Sequence, residues 1–247
     1  KSGEAFFHDS IKEIQSHGID VKNDLCGIMM ETFQGWGAIF YPKDFVQAAE
    51  NFCRENDLLL TFDEMQSGFA RTGKAFGYQH YDVHPDLICC GKGMGNGYPL
   101  SGVIGKEEVM DLPDIGNMSS THSANPMACL AGLAVLEEIH EKNLIVESQN
   151  KGKILHAKLN ELMEKSCNNI SHVYGEGLLA AVLFQDPVTN KPISVLPSKI
   201  SELCMQKGLL VVHTGRESIK IGPPITITED ALIEGIDVLS EIVLDNI

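Results

Sequence analysis

Residues 58–63 read LLLTFD and residues 86–92 read DLICCGK, two short apolar runs that each end on chemically active side chains. An unbroken apolar run of this length, flanked by helical pattern, is the signature of a strand buried on both faces. Working outward, FVQAAENFCREN (45–56) has helical period, and LCGIMM (25–30) is another apolar run. Residues 4–17 form an amphipathic pattern, and YPLSGVIG (98–105) reads as a further strand. Apolar runs alternating with helices predict an α/β fold with a mostly parallel sheet covered on both sides. Ligands of such sheets gather beyond the carboxyl ends of the strands. That rule selects Glu31, Asp63 and Lys92.

From Asn125 to about Glu164 the pattern is helical. Beyond it, HVYGEGLLAAVLF (172–184) reads as a hairpin and PSKISELCMQKG (197–208) as a helix. LLVVH (209–213) and SIKIG (218–222) read as strands, and residues 229–246 as a final helix. The expected organisation is a large α/β domain over 1–150, followed by a smaller α+β domain over 151–247, with the boundary within 145–170. A doubly wound sheet ordinarily opens on a strand and its phosphate-binding turn, whereas this chain starts in mid-pattern. A preceding segment is therefore expected.

With 43% hydrophobic and 21% charged residues, the chain is ordinary globular material. A net charge of −15 argues against nucleic acid, whose phosphates need clustered cations. No apolar run reaches the roughly 20 residues of a membrane span, and KSGEAFFHDSIKEIQ carries no signal-peptide block. Seven irregularly spaced cysteines read as free thiols of a reducing compartment, with the cytoplasm as the default. Metal and nucleotide readings are weak. Gly68 to Ala75 matches GxxxxGK, but Ala75 stands where a Ser or Thr would bind Mg²⁺. His80 and His84 have helical ligand spacing without a third ligand.

Asp63, directly after a buried run, fits a helix cap, an ion-pair partner or a site residue. With Glu64 beside it and Gln66 three along, the strand end offers carboxylate and amide to a heteroaromatic ring. Lys92 lies between Gly91 and Gly93, which allow close backbone approach. It fits a solvated loop residue or a Schiff-base amine.

Four stretches together resemble the pyridoxal-phosphate-dependent class III aminotransferases, the family of ornithine, acetylornithine and 4-aminobutyrate aminotransferases. They are ETFQGWGAIFYP (31–42), residues 58–105, THSANPMACLAGLAVLEEI (121–139) and IKIGPPITITED (219–230). The Asp-x-x-Gln…Gly-Lys-Gly pair at this spacing is highly specific. The resemblance implies fold type I and pyridoxal 5′-phosphate as cofactor. It implies that Lys92 forms the Schiff base and shuttles the proton, that Asp63 pairs with the ring nitrogen, and that Gln66 holds the ring's phenolic oxygen. Thr121 corresponds to the threonine that reaches the cofactor phosphate of the neighbouring subunit, which implies a homodimer with shared sites; as a residue it also reads as the cap of the following helix. Glu31 matches a glutamate that gates a carboxylate-binding arginine. At that arginine's place in Arg-x-x-Pro-Pro stands Lys220, a point charge instead of a fork; Arg216 is the available substitute.

The family's amino-terminal phosphate-binding and ring-stacking patterns do not occur before Glu31, so the chain resembles the carboxyl-terminal 55–60% of such an enzyme. It is expected to be inactive without the remainder. The expected activity is amino transfer between an amine or amino acid, with a terminal amine favoured, and a keto acid. The alternatives are a racemase, epimerase or aminomutase on the same site, or an inert fragment.

Overall fold

The computed structural model describes residues 1–247. The first elements are α1 (Gly3–Ser16), α2 (Val21–Asp24), β1 (Gly27–Glu31), β2 (Phe33–Gln34), β3 (Ile39–Phe40), α3 (Lys43–Asn56) and β4 (Leu59–Asp63). There follow β5 (Leu87–Cys90), β6 (Gly102–Gly105), α4 (Glu107–Met110), α5 (Pro126–Glu141) and α6 (Leu144–Lys165). The chain ends with β7 (Ile170–Glu176), β8 (Leu179–Phe184), α7 (Val195–Gln206), β9 (Val212–His213), β10 (Ser218–Ile221) and α8 (Glu229–Leu244). Two compact units result: residues 1–32, 41–69 and 76–142 form the first, and 33–40, 70–75 and 143–247 the second.

In the first unit the sheet runs β1-β4-β5-β6. β1, β4 and β5 are parallel, and β6 is antiparallel to β5. The helix α3 buries Val46, Ala49 and Cys53, the face its period predicts. It ends at Asp57 in the left-handed conformation, from which the chain enters β4. The Phe7 ring of α1 meets Phe45 and Phe52 of α3 edge-on, each at 5.5 Å between centroids. At the amino ends of the strands, the Asp86 carboxylate accepts from Leu60 N (2.8 Å), Arg54 (2.7 Å) and Lys106 (2.6 Å). That one buried group fastens α3, β4, β5 and the end of β6 together.

The second unit is an antiparallel sheet of order β7-β8-β10-β9. Every residue of β8 is buried, because both faces are covered. Ala180, Val182 and Phe184 face a core with Leu155 and Leu159 of α6, Ile200 of α7 and Ile236 of α8. Leu179, Ala181 and Leu183 pack against Phe33 and Ala38. Full burial of one such large side chain stabilises by about 1.5–3 kcal/mol. The segment 70–75 is held by Arg71, whose guanidinium donates to the carbonyls of Leu178 and Pro223. Burial pulls its pKa below the usual arginine range. Gly177 has φ +55, and a Cβ there would lie 2.6 Å from Gly73 N.

The strand expected over 209–213 is confined to Val212–His213. Leu209 N instead bonds to Cys204 O at 2.9 Å, closing the end of α7.

Candidate active site

Parallel pairing in register places Glu31 beside Asp63, and Asp63 beside Cys89. The carboxyl ends of β1, β4 and β5 therefore form one row, with a carboxylate on each of the first two strands. Asp63 is half-buried, and its Oδ1 accepts from Met65 N at 2.9 Å. This Asx turn starts the tight loop that carries Gln66, itself half-buried. The charge of Asp63 reaches across the row. Burial, aided by that carboxylate, raises the pKa of the Cys89 thiol.

Lys92 follows two residues after β5 and opens a 3₁₀ turn, Lys92–Met94. Its φ is +42, a left-handed conformation that is unusual for a side chain of this size and costs about 1–2 kcal/mol. The loop is pinned against the Asp63–Gln66 turn, since a Cβ on Gly91 would run into the sulfur of Met65. An exposed amine, a carboxylate and an amide thus share one end of the sheet. That donor set fits pyridoxal phosphate: an amine for its aldehyde, an acid for its ring nitrogen and an amide for its ring oxygen.

The structure brings Glu31, Asp63, Gln66 and Lys92 to this sheet end. It does not bring Thr121 into the same row. Thr121 is exposed in the segment before α5, and the cap of that helix is Asn125, whose side chain accepts from Met127 N at 3.0 Å. The cap reading of Thr121 is thereby corrected: the helix starts later, at Pro126, and a proline there suits the first helical position.

Lys220 and Arg216 belong to the second unit. The Lys220 ammonium donates to the carbonyl of Gly35 at 2.9 Å. The Arg216 guanidinium lies over the Trp36 ring, 3.9 Å from its centroid, and its Nε is 3.5 Å from the Glu217 carboxylate.

One participant had no signal beyond its place next to Asp63. Glu64 is fully buried and accepts four hydrogen bonds. Its donors are scattered over residues 32–78, so no local spacing announces them.

Comparison with known proteins bears on the family and the fold. The family model for class-III aminotransferases matches residues 2–243. The acetylornithine aminotransferase of Caldanaerobacter subterraneus is 32% identical over 96% of this chain and 58% of its own length. A probable 4-aminobutyrate aminotransferase of Bacillus subtilis is 37% identical over 86% of this chain and 49% of its own. Among solved structures, a transaminase from the marine bacterium Virgibacillus superposes with a TM-score of 0.89 at 27% identity, covering 99% of this chain and 58% of that one. The acetylornithine aminotransferase of Elizabethkingia anophelis gives a TM-score of 0.82 at 28% identity, over 91% and 55%. The chain spans about half to three-fifths of the length of the relatives it matches. With the family model covering nearly all of it, and with the fold of the pyridoxal-phosphate transaminases, this chain belongs to the class-III aminotransferases.

Proposed function

We propose that this chain supplies the catalytic lysine and the ring-binding residues of a pyridoxal-phosphate-dependent aminotransferase. The observation that carries the reading is the row of strand ends with Lys92 beyond it, on a loop packed against the Asp63–Gln66 turn. The cofactor supplies an aldehyde that takes up the amine and a ring that draws electrons from the substrate carbon. Lys92 Nζ would hold that aldehyde and would carry the proton from the substrate carbon to the cofactor's aldehyde carbon. The Asp63 carboxylate keeps the ring nitrogen protonated. The Gln66 amide donates to the phenolic oxygen.

Thr121 is assigned to the phosphate of a neighbouring subunit, and the functional unit to a homodimer. Support comes from the exposed apolar side chains of Leu112, Ile115, Met118, Met127 and Leu130 on either side of it. Glu31, Lys220 and Arg216 are assigned to the charged end of the substrate, an amine or amino acid with a terminal amino group, exchanged with a keto acid. The names of the relatives, which act on acetylornithine and 4-aminobutyrate, favour that class. No helix is long and apolar enough to cross a membrane. Free cysteines throughout fit a cytoplasmic setting.

The test is borohydride reduction of the holoenzyme followed by peptide mapping. A pyridoxyl group on Lys92 and consumption of keto acid matched to amine lost are expected. A label on Lys74 or Lys106, or a product that keeps its amine, overturns the reading.

A further inference from the structure

The Glu64 carboxylate is 0% exposed. Its Oε1 accepts from Thr32 Oγ1 at 2.6 Å and from Tyr78 N at 2.7 Å. Its Oε2 accepts from Ser67 Oγ at 2.6 Å and from Gly77 N at 2.7 Å. All four donors are neutral. Burying a carboxylate on neutral donors is costly, and here it satisfies two backbone N–H groups and two hydroxyls that meet at one point. What distinguishes the arrangement is where the side-chain donors sit. Thr32 follows Glu31, Glu64 follows Asp63, and Ser67 follows Gln66. Glu31, Asp63 and Gln66 are therefore each followed either by the buried carboxylate itself or by a hydroxyl that donates to it.

We propose that Glu64 is a positioning residue that sets the orientation of Glu31, Asp63 and Gln66 together. Along extended chain, successive side chains point to opposite sides. With Thr32 and Glu64 drawn inward to a shared bond, Glu31 and Asp63 are turned outward, and they are the less buried partners of each pair. The main chain holds the same arrangement, since Glu64 N donates to Cys89 O at 2.9 Å and so fixes the β4 end against the strand that leads to Lys92. The backbone donors Gly77 and Tyr78 close the loop that follows Gln66. Displacing the carboxylate would release three side chains at once, and small losses of aim at a catalytic centre are expensive.

This inference rests on the site reading above, and its test separates the two. In Glu64→Gln, an NH₂ replaces an acceptor and faces donors. The holoenzyme variant is expected to bind pyridoxal phosphate about tenfold more weakly by absorbance titration of the apo form, with kcat lowered about tenfold and KM for the amine little changed. Amide exchange at Gly77 and Tyr78 should rise. Asp63→Asn is measured in parallel. If Asp63→Asn loses turnover while Glu64→Gln keeps cofactor affinity and kcat within about twofold, the positioning role is refuted, even if the variant unfolds more easily. If Asp63→Asn keeps full turnover, the site reading itself falls, and the positioning role with it. Should Glu64→Gln fail to fold, Thr32→Val and Ser67→Ala each remove one donor and leave the carboxylate. Weaker cofactor binding in both supports the role, and unchanged binding in both overturns it.

Discussion

Replacing Asp86 by asparagine should cost the first unit about 2–4 kcal/mol at neutral pH. The side chain is 4% exposed and its carboxylate accepts from Leu60 N, Arg54 and Lys106. Asparagine keeps one acceptor and turns its NH₂ toward one of the two cations, Arg54 on Oδ2 or Lys106 on Oδ1. Breaking a buried ion pair from one side costs about 3–5 kcal/mol. Here the two cations are 39% and 45% exposed, so water can re-solvate them and the cost drops by about 1 kcal/mol from that range. Burial pushes the Asp86 carboxyl up, but Leu60 N–H and the two cations outweigh it and hold the pKa below its ordinary value. A carboxyl lowered in the fold gives stability that is complete above its unfolded pKa, about 3.9, and is lost as pH falls through the folded value. The deficit of Asp86→Asn should therefore be full at pH 7 and shrink in acid below that carboxylate range. Urea unfolding followed by far-ultraviolet circular dichroism at both pH values measures it. A deficit below about 1 kcal/mol at pH 7, or one that does not shrink in acid, would refute the reasoning.

Gly177→Ala combines φ +55 with a Cβ 2.6 Å from Gly73 N, so it should destabilise by more than about 2 kcal/mol, read as a lowered urea midpoint. Thiol labelling at pH 8 should quickly modify the exposed Cys26, Cys129 and Cys167. Burial raises the Cys53, Cys90 and Cys204 thiols to about 11, and these three should react only after unfolding.

The helices 3–16 and 43–56 were readable because their apolar spacing matches the face they bury. β4, β5 and β8 were readable as short unbroken apolar runs; β8 is buried on both faces, whereas β4 alternates buried with half-buried residues and β5 buries only Cys90 fully. Residues 209–211 misled because an apolar run does not say whether its first N–H goes to a neighbouring strand or back to a helix end, as Leu209 N does. The segments 33–40 and 70–75 cluster with residues 143–247, and nothing in their composition marks it. Their ties, such as Arg71 to Leu178 and Ser218 to Trp36, span more than a hundred positions. The apolar runs before them placed Asp63 and Lys92 at neighbouring strand ends, where the structure has them. Glu64 was not legible, because its meaning depends on four donors that meet only in the folded chain.

Trp36 is the sole tryptophan of the chain. It lies under the Arg216 guanidinium, its Nε1 bonds to Gln34 Oε1 at 3.3 Å, and its carbonyl accepts from Ser218. Intrinsic fluorescence excited at the indole edge therefore arises from a single position with one cation on its face. An anion that draws Arg216 off the ring would change that emission directly, without labels and without turnover. The chain carries its own optical gauge for the cation assigned to the substrate's charged end.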